Sequence, residues 1–268
     1  MWGAVIGDII GSTFEHENLR SPYFELFVQG SRFTDDTVCT GAVAHILKTF
    51  SLENLSDDVI SDELRLWCCA FLNRGFGSLF YQWIGNGVNR PYGSYGNGAL
   101  MRISPVGLYA VKKGLSKPQS LELAKKITQV THNHPQALHA VSMYIDILYD
   151  LLKNKPDVET AKALIVNKFD EYKIEQPKKI EQYRINMDFD LTCNHSLGVA
   201  FSAILNTSSF DDVMYQVVSA GGDSDTYAAI AGAVAEAMYG VPENYIQKAK
   251  TYFRDYDKEL LFAIESQY

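Results

Sequence analysis

A chain of 268 residues, 47% hydrophobic and 21% charged, can bury a large core without disulfide or metal staples, which excludes both a disordered chain and a membrane protein by composition. Its formal net charge of −8 argues against a surface that condenses on nucleic-acid phosphate or anionic lipid, so strong nucleic-acid affinity is not expected. Backbone N–H groups or metal ions can still neutralise an anion inside a local pocket.

The start, Met1-Trp2-Gly3-Ala4-Val5-Ile6-Gly7-Asp8, has no basic segment, and an acid breaks its apolar run, so it does not read as a signal peptide. No stretch has the length and apolarity of a membrane span. Helical periodicity predicts helices over Val38–Phe50, Asp57–Leu72, Gln119–Val130, Pro135–Leu152, Val158–Phe169, Ser196–Leu205, Phe210–Ala220 and Asp225–Tyr239. Strand patterns are scarce. The expected fold class is all-α, a single multi-helix domain over residues 1–268 with no internal repeat.

Two stretches interrupt the helical pattern. Phe76 to Arg102 carries Gly77, Gly85, Gly87, Gly93, Gly96 and Gly98 and reads as a long structured loop of the kind that is usually functional. Asp170 to Asn194, polar and containing Pro177 and Lys178-Lys179, reads as an excursion inserted into the same domain. Of the cysteines, Cys39, Cys68, Cys69 and Cys193, none has C-x-x-C or Cys/His ligand spacing. Cys68 and Cys69, inside the apolar run Leu66 to Leu72, read as buried free thiols, and a cytoplasmic location follows. A monomer is expected.

Thr34-Asp35-Asp36-Thr37 and Asp223-Ser224-Asp225-Thr226 have the same chemical character and each precedes a helix. One such segment is ordinarily a helix cap. Together they supply more carboxylates than caps require. If the two meet, like charges must raise one another's pKa or share a cation, and an oxygen-only donor set suits Mg²⁺, Mn²⁺ or Ca²⁺ rather than Zn²⁺.

Along the chain stand Gly3-Ala4-Val5-Ile6-Gly7-Asp8-Ile9-Ile10-Gly11-Ser12 with Glu15, then Phe33-Thr34-Asp35-Asp36-Thr37, and Gly93-Ser94-Tyr95-Gly96-Asn97-Gly98-Ala99-Leu100-Met101-Arg102. Thr131-His132-Asn133-His134-Pro135 and Gly221-Gly222-Asp223-Ser224-Asp225-Thr226 complete the series. In these motifs and their order the chain resembles the ADP-ribosylglycohydrolase family. The resemblance implies an all-helical fold with a binuclear site for two divalent cations, Mg²⁺ first and Mn²⁺ second. The implied metal ligands are Thr34, Asp35, Asp36, Asp223, Asp225 and Thr226. Glu15 and Asp36 are the implied catalytic carboxylates, either of which would accept a proton from the attacking water.

The resemblance further implies that Ser94, Tyr95, Gly96, Asn97, Gly98, Met101 and His132 bind ADP-ribose, glycine letting backbone N–H groups approach the diphosphate. A valine at Gly98 is expected to block that approach and to be penalised by positive φ. His134 and His139 have no implied role, and Arg102 reads as structural. The implied reaction is hydrolysis of the glycosidic bond between ADP-ribose and a modified arginine, serine or other acceptor, most readily on a protein. The competing readings are a binuclear-metal phosphohydrolase of an ADP-ribose-like nucleotide and a catalytically silent binding or structural member, the latter opposed by the intact ligand set.

Overall fold

The computed structural model describes residues 1–185 and 189–267. Its α-helices are α1 (Trp2–Gly11), α2 (Phe14–Glu17), α3 (Asp35–Thr49), α4 (Asp57–Cys69), α5 (Ser78–Asn86), α6 (Gly98–Met101), α7 (Ser104–Lys112) and α8 (Lys117–Gln129). They continue with α9 (Pro135–Asn154), α10 (Val158–Glu171), α11 (Ile180–Ile185), α12 (Cys193–Leu205), α13 (Phe210–Val218), α14 (Ser224–Tyr239), α15 (Glu243–Lys250) and α16 (Lys258–Glu265). Among the described residues no strand forms, and a lone antiparallel bridge joins Gly96 to Thr192. The all-α expectation holds, and one hydrophobic cluster extends from Met1 to Ile264.

Side-chain caps start many of these helices. Ser56 accepts from Val59 N, Asp157 from Thr160 N and Ser209 from Asp212 N, while Ser116 and Gln119 form a reciprocal capping box.

At the centre α1 lies directly on α14. Gly3, Gly7 and Gly11 recur every fourth residue, which puts them on one face of α1. A Cβ at Gly7 would collide with the carbonyl of Ala228, one at Gly3 with that of Gly232, and one at Gly11 with that of Ser224. Helix packing this close requires bare backbone. Ser224 Oγ locks the contact by donating to Gly11 O at 2.9 Å. On the far side of α14, Tyr144 of α9 donates to Ile230 O at 2.9 Å, so α14 is walled in from both sides. The start of α14 and the third turn of α1 are thereby fixed relative to each other.

Several elements differ from the sequence expectation. The stretch Phe76 to Arg102 is not one long loop, because it contains α5 and α6. Phe80, Trp83 and Ile84 recur at helical spacing and are buried, and the glycines mark the ends of α5, with Gly77 at its start and Gly87 at φ 61° closing it. Helices α1, α7, α15 and α16 carry no counterpart in the predicted set. Cys69 is exposed, unlike Cys68, since consecutive residues of an amphipathic helix point to different faces. The polar excursion contains α11 and then runs back along the glycine loop, although its residues 186 to 188 lie outside the described residues.

Candidate active site

The first acidic segment forms the start of α3. Thr34 is its N-cap, with Oγ1 accepting from Asp36 N at 3.3 Å, so Asp35 and Asp36 sit in the first helical turn instead of ahead of it. Capping is therefore real, but it uses the threonine and leaves both carboxyls unspent. Asp36 Oδ1 is buried and has no hydrogen-bond partner.

Asp8, on α1, holds this segment in place. It is fully buried, and its oxygens accept from Thr34 N, from Thr34 Oγ1 at 2.7 Å, from Thr37 N at 3.0 Å and from Thr37 Oγ1. A buried carboxyl is costly unless hydrogen bonds replace its water, and here the free N–H groups of a helix start do so. Sequence reasoning met Asp8 as the acid that breaks an apolar run and within the Gly3-to-Ser12 motif, and gave it no role of its own. An acid amid apolar neighbours at helical spacing was the available signal.

The second acidic segment opens α14. Gly221 and Gly222 precede it at φ 72° and 70°, conformations that favour glycine. The bare backbone faces Arg20 and Asn18: a Cβ at Gly221 would stand 2.5 Å from Arg20 Nε and from Asn18 Oδ1. Arg20 Nη1 donates to Ala220 O at 2.6 Å, and Asn18 Oδ1 accepts from Gly222 N at 3.0 Å, which fixes the turn that aims Asp223. On its other side Asp223 Oδ2 accepts from Asn97 Nδ2 at 2.6 Å.

The two segments meet. Thr226 Oγ1 donates to Asp36 Oδ2 at 3.2 Å across 190 residues of chain, and oxygens of Glu15, Asp223 and Asp225 lie within 4.8 Å of one another. Burial pushes Asp35, Asp36 and Asp223 well above the ordinary range, followed by the neighbouring carboxyls for Asp36 and Asp223 and by Cys39 and then those carboxyls for Asp35. Burial and Asp225 push Asp8 up to about 7. A divalent cation fits this donor set: all oxygen, crowded with like charge, and including a buried carboxyl oxygen with nothing to bind.

These groups form one side of a cavity of about 470 Å³. Glu15, Thr34, Asp35, Asp36, Asp223, Asp225 and Thr226 line it, as do Ser94, Gly96, Asn97, Gly98, Met101 and His132. Tyr95 does not. It is 47% exposed, and its ring faces that of His134 outside the cavity. Asn97 lines the cavity while its amide is engaged by Asp223 and, at 3.1 Å, by Ser196.

The glycine loop is braced from within. Gly93 N donates to Asn133 Oδ1, Gly96 N to Ser94 Oγ and Asn97 N to Leu191 O, all at 2.8 to 3.1 Å. Those three N–H groups are taken up by acceptors of the protein itself. Gly98 opens α6 without positive φ; what a Cβ there meets is His132, with Nε2 at 3.2 Å. Gly93, at φ 70°, is the loop residue in the left-handed region.

His132 is 5% exposed, and burial followed by the positive charge of Arg102 holds its pKa well below the ordinary value. Thr131 Oγ1 at 2.8 Å and Arg102 Nη2 at 3.5 Å surround its Nδ1. Arginine can only donate, so Nδ1 is the acceptor and the ring proton is assigned to Nε2, toward Gly98. Arg102 itself is fully buried and donates to Thr131 Oγ1 at 2.5 Å, tying down this segment. His134 caps α9, and His139 Nε2 meets Tyr172 O at 2.6 Å.

Sequence reasoning missed several of the lining residues. Phe80 of α5 and Tyr92 line the cavity, together with Arg32, Arg74 and, from the polar excursion, Phe189 and Leu191. Leu191 O and Cys193 N bind the backbone of Asn97 and Tyr95, which joins the excursion to the loop.

The family model described as ADP-ribosylglycohydrolase matches residues 1–265, and the chain belongs to that family. It is 27% identical over 277 residues to the ADP-ribosyl-dinitrogen reductase glycohydrolase of Rhodospirillum rubrum, covering 92% of this chain and 87% of that one. It is 24% identical over 282 residues to the ADP-ribosylarginine hydrolase Tri1 of Serratia proteamaculans, covering 92% and 73%. A solved ADP-ribosylglycohydrolase-related protein complex shares the fold at TM-score 0.70 and 20% identity, over 100% of this chain and 96% of that one.

Proposed function

We propose that this protein hydrolyses the glycosidic bond between ADP-ribose and a protein side chain, arginine in the first place, with two divalent cations, Mg²⁺ foremost. The observation that carries this reading is the meeting of Asp36 and Thr226 beside Glu15, Asp223 and Asp225 at one wall of the cavity. The names of the Rhodospirillum and Serratia relatives support a protein acceptor and an arginine linkage.

Thr34, Asp35, Asp36, Asp223, Asp225 and Thr226 would hold the cations, which would supply positive charge against the carboxyls and make a bound water more acidic. Ser94, Gly96, Asn97, Gly98, Met101 and His132 would enclose the ADP-ribose. Neutral His132, with its Nε2 proton toward the cavity, is a donor for a ribose or phosphate oxygen. Glu15 or Asp36 would accept the proton from the attacking water. Four free cysteines support a reducing compartment, the cytoplasm.

The test presents arginine-, serine- and nucleic-acid-linked ADP-ribose side by side, with EDTA and with Mg²⁺ or Mn²⁺ restored. Release of intact ADP-ribose from the arginine linkage, lost in EDTA and recovered with cation, is the expected outcome. Ribose phosphates among the products would replace the reading with a phosphohydrolase. Full turnover in verified metal-free protein would end the cation assignment.

A further inference from the structure

The Thr34 hydroxyl has one proton and two lone pairs to distribute. One lone pair accepts Asp36 N–H at 3.3 Å. For its proton two acceptors are in reach: Asp8 Oδ1 at 2.7 Å and Asp36 Oδ2 at 3.4 Å. A proton spent on Asp36 would stand between the two oxygens proposed to share a cation. A proton spent on Asp8 leaves that space clear and one oxygen lone pair uncommitted.

Asp8 has the geometry to decide the matter. Both its oxygens face donors only, two backbone N–H groups and two hydroxyls, all from the first turn of α3. Its backbone cannot retreat, because Gly7 beside it packs against Ala228 and Gly11 one turn on packs against Ser224.

We infer that Asp8 is a positioning residue of the active site: it takes the Thr34 proton and so presents the threonine oxygen, lone pair outward, to a divalent cation. This rests on the cation reading above. The roles divide between the two threonines of the segment. Thr37 Oγ1 also donates to Asp8 but does not line the cavity, so it anchors the carboxyl, whereas Thr34 Oγ1 stands in the site.

The experiment is calorimetric titration of the metal-stripped protein with Mn²⁺ and Mg²⁺, read as a double-mutant cycle between Asp8 and Thr34. Asp8→Asn is expected to weaken cation affinity 10- to 100-fold, the usual loss when a residue orienting a ligand is removed. In a Thr34→Val background, where no hydroxyl remains to be oriented, the same change is expected to add less than about twofold. Equal losses in both backgrounds, or none in either, overturn the inference and leave Asp8 as a helix cap. If Asp8→Asn does not fold, Thr34→Ser and Thr34→Val decide instead: serine should retain the affinity and valine lose it, and valine binding as tightly as the parent overturns the inference. A parent protein that binds neither cation overturns the cation reading together with this one.

Discussion

Asn97 gives its side-chain amide to Asp223 Oδ2 at 2.6 Å, so a residue that lines the cavity also holds a carboxyl of the acidic cluster. Removing the donor leaves a buried oxygen of Asp223 unsatisfied, at a cost of about 1–3 kcal/mol. Asn97→Ala should therefore lower the stability of the EDTA-treated protein by about that amount in urea denaturation. A loss under about 0.5 kcal/mol, the scatter of ordinary surface changes, would show that the amide does not compensate Asp223.

Asp36→Asn should separate stability from binding. Burial and the charges of Asp225, Asp8 and Asp35 all oppose an ionised Asp36, and Oδ1 has no partner in compensation. Neutralising it is expected to stabilise the cation-free protein by about 1 kcal/mol, the scale on which functional strain is commonly relieved. Cation affinity should collapse in the same variant. Thermal melts in EDTA and calorimetry with Mn²⁺ check the pair of outcomes, and a destabilised variant would mean that the carboxyl serves the fold.

The acidic cluster also sets a sign for pH. Its raised carboxyls bind more protons folded than unfolded, so their contribution to stability is complete below the ordinary pKa of 3.8 and declines as pH rises through the folded value, about 7 for Asp8. A cation removes the penalty by pairing with the ionised groups. The gap in Tm between Mg²⁺-loaded and EDTA-treated protein should accordingly widen from about pH 4 through about pH 7. A gap independent of pH would show that the cluster does not titrate with folding.

The sequence displays the site's carboxyls openly because Asp35-Asp36 and Asp223-Asp225 concentrate charge within a few residues. What it conceals are partners brought in by the fold. Asp8 lies 26 residues from Thr34, and Asn97 lies 126 from Asp223, so neither pairing leaves a local pattern. The same holds for helices. Amphipathic α9 and α10 were legible from their stripes, whereas α1 is buried along its whole length and shows no polar face to set a period. In α5 the glycines that end the helix were mistaken for a loop around it, and the wall formed by Phe80 went unread. Gly221-Gly222 was legible as bare backbone, but its neighbours, Arg20 and Asn18, were not.

Gly98 tests the assignment of the ADP-ribose pocket. Its φ is not in the left-handed region, so a side chain there is opposed by space and not by backbone conformation. A Cβ would stand 3.2 Å from His132 Nε2 and 3.4 Å from Cε1, and the branched carbons of valine would press further on the ring. His132 is buried and held by Thr131 and Arg102, so it cannot yield freely, and the Nε2 proton would be turned away from the cavity. Gly98→Val is therefore expected to weaken binding of free ADP-ribose by at least about tenfold, a difference of about 1.4 kcal/mol. Mn²⁺ affinity should change little, because neither residue belongs to the acidic cluster. In the parent, ADP-ribose at one hundred times its Kd should add about 2.7 kcal/mol of stability, and that increment should shrink in the variant. His132→Ala should weaken ADP-ribose in the same way, and Gly98→Val added to it should cost less than in the parent, since the ring it strikes is gone. Unchanged calorimetric affinity in both single variants would place the ADP-ribose pocket elsewhere.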